Sequence, residues 1–153
     1  MIPYEKITNF LKSHNIAYEE IEHEAVFTSE QAAKVRGMSM NQGAKSLLLR
    51  SGGEFVLAVL PGDKRLDSKK IRQILGRKEL CFATPEEVEK VMGCQIGACY
   101  PFGSLLNIRT LVDNSLSKNE IISFNPGVHT KSVKIRWEDY KSLTSPELVD
   151  ISQ

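Results

Sequence analysis

A chain of 153 residues, 41% apolar and with a net charge of +1, has the size and composition of one domain with a real core. No segment approaches the roughly 18 apolar residues of a membrane span, and the opening Met-Ile-Pro-Tyr-Glu-Lys lacks a signal peptide's apolar stretch, so a cytoplasmic location without a membrane partner is expected. Cys81, Cys94 and Cys99 are odd in number and show no metal-ligand spacing, which predicts reduced thiols, no metal and no cofactor.

Pro3, Tyr4, Ile7, Phe10 and Leu11 have helical spacing and predict a first amphipathic helix ending near His14, with Asn15 as its stop. Ala17 to Glu22 reads as a short edge strand. Thr28-Ser29-Glu30-Gln31 is a capping box opening a helix that Gly37 closes. From Gly43 to Leu60, two apolar runs flank Ser51-Gly52-Gly53, the pattern of a β-hairpin buried on most of both faces. Lys45 stands where the first of these strands begins, and an ammonium beside a buried run is costly to desolvate unless something anionic meets it. Leu60-Pro61-Gly62-Asp63 is a turn. Asp67 caps a helix with Ile71, Ile74 and Leu75 inward, and Gly76 ends it.

Leu80 to Ala83 is a short apolar strand, and Thr84-Pro85-Glu86-Glu87 is a second capping box whose helix Gly93 stops. Gly93 to Gly103 has three glycines and a proline but no period. Such a stretch lets backbone N–H groups approach a ligand closely. Asn107 to Asp113 and Glu120 to Phe124 read as strands, Asn125-Pro126-Gly127 as a turn, and Ser132 to Arg136 as a further strand. Trp137 to Leu143 reads as a closing helix before a polar tail. Helices and strands are interspersed without parallel βαβ alternation. The expected class is α+β, an antiparallel or mixed sheet curled into a barrel-like core flanked by helices.

Charge is unevenly spread. Seven basic residues and one acid lie between Lys64 and Lys78, whereas five glutamates and no basic residue lie between Glu19 and Glu30. One surface that attracts phosphates is expected. No nucleophile elbow, phosphate loop, dinucleotide fingerprint or His-Glu-x-x-His motif is present. His14, His23 and His129 are isolated, and Cys99 has no acid–base partner adjacent in sequence.

Taken in order, His23-Glu-Ala-Val-Phe-Thr28-Ser-Glu-Gln-Ala-Ala, then Ala44-Lys45-Ser-Leu-Leu-Leu, then Val59-Leu-Pro-Gly-Asp63, then Gly97-Ala-Cys-Tyr-Pro101-Phe-Gly103 resemble the YbaK family. These are free-standing relatives of the editing domain inserted in bacterial prolyl-tRNA synthetase. The resemblance runs from about Tyr4 to Tyr140 and implies trans-editing, the hydrolysis of the ester joining a wrong amino acid to a tRNA, here of tRNA(Pro) type. It matches Lys45 to the family's functional lysine and Gly97, Ala98, Cys99, Tyr100 and Pro101 to its Gly-x-x-x-Pro loop. Val26, Phe27 and Thr28 fall on the pocket lining, and the Asn125–Thr130 turn on another substrate-facing loop, which makes His129 a candidate contact.

In this setting the implied partners are the acceptor end of a mischarged tRNA and, as a further class, an aminoacyl-tRNA synthetase. Lys64, Arg65, Lys69, Lys70 and Arg72 are expected to meet acceptor-stem phosphates. An aminoacyl ester is already activated, so a positioned water and backbone oxyanion donors suffice without a protein nucleophile. The rivals are a non-catalytic module that holds RNA or a synthetase, and a hydrolase of small acyl esters.

Overall fold

Burial on both faces gives the central hairpin its unbroken apolar runs. In the computed structural model, which describes all 153 residues, β2 (Ala44–Ser51) and β3 (Glu54–Pro61) pair antiparallel from Ala44↔Pro61 to Ser51↔Glu54. Leu48, Leu57 and Val59 enter a core of 22 buried residues, while Leu49, Val56 and Ala58 enter a second, smaller cluster with Ile71. Side chains alternate across a strand, so a sheet covered on both faces must be apolar at every position.

The remaining elements are placed by their apolar faces and caps. Helix α1 (Pro3–Ser13) sends Ile7 and Leu11 into the main core and ends as expected, with Asn15 left-handed at φ +56°. Strand β1 is Glu19–Glu22 and α2 is Ser29–Arg36, capped by Thr28 Oγ1 accepting from the Gln31 amide at 3.1 Å. The return arm of this box is displaced by one residue: the Gln31 side chain takes the Phe27 amide rather than that of Thr28. At α4 (Pro85–Met92) both arms form between Thr84 and Glu87. A third box, Ser39 with Gln42, closes a short 3₁₀ turn that the sequence pattern did not suggest.

Helix α3 (Ser68–Leu75) covers the second face of the hairpin through Ile71, with Ile74 and Leu75 half-buried beside it. Further on come β4 (Cys81–Phe82), β5 (Arg109–Asp113), β6 (Ile121–Phe124), β7 (Lys131–Arg136) and α5 (Trp137–Thr144). The expected polar tail contains one more strand, β8 (Glu147–Val149). It adds in parallel to β5, and the half-buried Leu148 and Val149 supply the apolar contact that the surrounding polar residues conceal.

The strands form two sheets, in the orders β4-β2-β3-β5-β8 and β1-β7-β6. The class is α+β and the larger sheet is mixed. As the mixed alternative allows, β5 runs parallel to both β3 and β8: α3, β4 and α4 form the crossover from β3 to β5, and β6, β7 and α5 lie between β5 and β8. A single bridge, Gly43↔Ser123, links the sheets, and no closed ring of strands forms. Phe102, Phe124, Trp137 and Tyr140 fill the space between them. Each such fully buried apolar side chain contributes about 1.5–3 kcal/mol.

Candidate functional site

A cavity of about 190 Å³ lies beside the first half of β2. Strand β4 pairs only with Leu49 and Arg50, so Ala44 to Leu47 have no strand partner on that side. The cavity lies along this open stretch. Its other walls are α2, the Gly62 turn and the glycine loop. Gly62 is required there: a Cβ on it would stand 2.8 Å from the Met40 carbonyl oxygen.

Val26, Phe27, Thr28, Lys45, Gly97 and Cys99 all reach this cavity. The half-buried Lys45 is part of the lining, its Nζ donating to the carbonyl of Lys64 and, at 3.4 Å, to that of Gly62. Burial holds its ammonium below the ordinary lysine pKa, partly countered by Asp63 and reinforced by Arg65. The Ser46 hydroxyl is buried in the wall without any partner.

The other predicted contacts lie elsewhere. Ala98 is 1% exposed and its amide is spent on the Gln95 carbonyl at 3.0 Å, so it is not a free donor. Tyr100 turns inward to donate to the Met92 carbonyl at 2.7 Å, and burial raises its phenol. Pro101 faces a separate groove with Thr110 and Glu147, and its carbonyl accepts from Tyr140 at 2.7 Å. His129 stands behind the cavity wall, where Nδ1 meets the Val26 carbonyl at 3.0 Å and the ring packs on Phe27 at 4.8 Å. It also backs the loop, since a Cβ on Gly97, whose φ is +87°, would meet its ring at 3.3 Å.

Arg36 and Asn125 are site residues that the sequence pattern did not disclose. The Arg36 guanidinium is 7% exposed and donates to Ser132 Oγ at 2.8 Å, Ser123 Oγ at 3.0 Å and Asn125 Oδ1. With no carboxylate beside it, burial lowers its pKa to about 10. Asn125 in turn donates to the Gly97 carbonyl at 3.4 Å. Two cations, Arg36 and Lys45, therefore face the cavity, and no carboxylate lines it.

Of the loop amides, those of Gly97 and Cys99 make no backbone hydrogen bond, and both favour the thiolate form of Cys99. Sulfur is a weak acceptor, so such donors remain available to a developing oxyanion. The only side-chain partner of Cys99 is another thiol, Cys94, and Cys99 thus has no general base.

The basic run divides. Arg65 and Lys69 are exposed, and Lys64 and Arg72 half-exposed. Lys70 instead binds the Asp150 carboxylate at 3.0 Å and the Ser152 carbonyl at 2.7 Å. Arg77 pairs with Glu54 at 3.0 Å.

A family model described as "Aminoacyl-tRNA editing domain" matches residues 23–143. A curated relative from Escherichia coli K12, the multifunctional Ser/Thr-tRNA deacylase ProXp-y, is 30% identical over 97% of this chain and 92% of its own length. The prolyl-tRNA editing protein ProX of Acetoanaerobium sticklandii is 27% identical over 84% of this chain and 82% of its own. Among solved structures, one provisionally assigned in its own description as a trans-editing enzyme for prolyl tRNA synthetase superposes with a TM-score of 0.87. It is 24% identical and covers 99% of this chain and 97% of that one, a likeness of fold.

Proposed function

Since this chain belongs to the aminoacyl-tRNA editing domain family, we propose that it is a trans-editing deacylase hydrolysing the ester of a mischarged tRNA through Lys45 and the Gly97–Pro101 loop. The observation that carries this is the meeting, in one small cavity, of a tethered ammonium with the Gly97–Cys99 stretch of the glycine loop, whose Gly97 and Cys99 amides make no backbone bond, and no nucleophile–base pair. Lys45 holds the terminal phosphate or ribose of the tRNA. The Gly97 and Cys99 amides take the oxyanion formed as water attacks the ester carbonyl. Binding alone would need no such donors.

Val26, Ala32 and Ala33 make the adjoining wall apolar and close, which suits a small acyl group. The absence of a lining carboxylate disfavours cationic side chains. The name of the E. coli relative puts serine and threonine first among acyl groups, and the family resemblance puts tRNA(Pro) first among acceptors.

The test is a panel of tRNA(Pro), tRNA(Thr) and other tRNAs charged with serine, threonine, alanine or lysine. The wild-type protein is expected to deacylate a small-side-chain member and spare the lysyl ester. Lys45→Ala should lose most of this activity with its Tm unchanged within a few degrees, as expected of a residue outside the core. Tight tRNA binding without any hydrolysis would instead establish a non-catalytic binding module. Hydrolysis of small acyl esters alone would establish the other rival.

A further inference from the structure

Cys94 and Cys99 bracket the stretch of loop in which Gly97 lines the cavity. Their sulfurs lie 3.9 Å apart, and both thiols are free. Cys94 is 5% exposed, packs in the main core and does not reach the cavity. Cys99 is 6% exposed and lines it. Between them the backbone is held by one internal hydrogen bond, Ala98 to Gln95, and turns at Gly97 with φ +87°. A segment with so few backbone bonds can rearrange at low cost.

We propose that Cys94 and Cys99 are a modification site: hydrogen peroxide entering through the cavity oxidises Cys99, and Cys94 resolves the product as an intramolecular disulfide that closes down the glycine loop. In the first step the Cys99 sulfur attacks one peroxide oxygen, the O–O bond breaks, and the leaving hydroxide takes a proton to become water. In the second the Cys94 sulfur attacks the resulting sulfenic acid, the S–S bond forms, and the S–O oxygen leaves as a second water. Two thiols lose two electrons and two protons, and one peroxide becomes two waters.

The assignment of roles follows from the surroundings. The Cys94 thiol donates to the Cys99 sulfur, and the nearby Gly97 and Cys99 amides favour its thiolate form. Together they hold the Cys99 thiol below its ordinary pKa against the opposing effect of burial. The same hydrogen bond and burial raise that of Cys94. The more acidic thiol is the one at the cavity, where peroxide arrives.

A disulfide requires about 2.05 Å between sulfurs, so closing the present gap moves them together by about 1.9 Å. Both cysteines belong to the main core, but only Cys99 also borders the open cavity, so the displacement falls on Cys99 and on the backbone around it. A misplacement of about 1 Å at a reacting centre costs on the order of 10²-fold in rate.

The pairing stands on geometry alone, and only its effect on hydrolysis rests on the proposed deacylase function. The experiment uses the full chain carrying Cys81→Ser, which removes the exposed third thiol. Cleavage after Lys90 and Arg109 places both remaining cysteines in one tryptic peptide. After brief treatment with stoichiometric hydrogen peroxide, this peptide should lose about 2 Da, the mass of two hydrogens. Amide exchange from Gln95 to Tyr100 should change, deacylation should fall at least about tenfold, and dithiothreitol should reverse all three.

Cys94→Ser in the same background should keep the basal rate and form no disulfide. Its Cys99 should instead gain one oxygen as a sulfenic acid, and a second equivalent of peroxide should carry it to the irreversible sulfinic acid. Two free thiols persisting on the peptide while peroxide is consumed elsewhere would overturn the pairing. A disulfide with unaltered amide exchange would overturn the closure of the loop. Were no tRNA deacylated at all, the function would fail while the mass and exchange measurements still decided the thiol chemistry.

Discussion

Arg36 carries a charge into the interior with no carboxylate to meet it, and three neutral oxygens take that role. Its partners in β6, β7 and the following turn are polar atoms that would be orphaned by its loss. Arg36→Met should therefore lower stability by about 2–4 kcal/mol, measured as a shift in the urea midpoint. The variant should also lose kcat more than it raises KM, because Asn125 no longer steadies the Gly97 carbonyl. Rescue by Arg36→Lys should be poor, since an ammonium cannot reproduce the planar fork. At this scale the sequence disclosed the lysine and hid the arginine. Lys45 is legible because a cation opening an apolar strand is anomalous. Arg36 is not, because an arginine in the last turn of a helix ordinarily complements the helix dipole at the surface. Its serine partners lie 96 and 87 positions further along the chain. Tyr100 and Pro101 turn away from the cavity for a related reason: sequence proximity to Gly97 says nothing about which way alternate side chains turn.

Among the strands, β8 is the one that the sequence concealed, and Asp113 explains how so short a strand is held. Asp113 is 2% exposed at the end of β5 and accepts from the Ile151 amide at 2.9 Å and from both the amide and the hydroxyl of Ser115. Burial alone would raise its pKa, but these bonds and one to Ser152 hold it below the usual carboxylate range. A depressed carboxylate stabilises the fold above its unfolded pKa, and this contribution disappears as pH falls through the lower folded value. Asp113→Asn should thus be less stable than wild type at pH 7, and the difference in urea midpoint should shrink only below about pH 3.8, the ordinary value. A gap that stayed constant down to pH 2 would show that the carboxylate charge contributes nothing. Elements with strong local signals were read correctly. The capping box at Thr84, the left-handed glycines after α3 and α4 and the two-residue hairpin turn need no distant partner to form. The parallel pairings of β5 and the tail strand are specified by tertiary contact, for which periodicity carries no mark.

For the whole molecule, the basic run presents fewer free charges than its composition suggests. Lys70 is tied to Asp150, which leaves Lys64, Arg65, Lys69 and Arg72 as the contacts proposed for acceptor-stem phosphates. Replacing Arg65, Lys69 and Arg72 with glutamine should weaken tRNA binding and reduce the slope of log affinity against log salt by about 0.7–0.9 per lost phosphate contact. The single-turnover rate at saturation should change far less. Lys70→Gln should leave the slope unchanged and lower stability instead, and the reverse pattern would place the tRNA elsewhere. The α+β class could be read from composition and pattern. The division into two sheets could not, because it depends on where β1 and β6 find β7. That division also sets an order of assembly. The Val26 carbonyl meets His129 across 103 positions, and the His23 ring meets Ser132 across 109. The β2–β3 hairpin closes over a two-residue turn. Contacts of long sequence separation form late, because loop closure is costly before it is rewarded. A chain emerging from the ribosome would thus hold Lys45 in place well before the opposite wall arrived. No mischarged end could be engaged until β7 had been made, so the protein comes into its activity all at once.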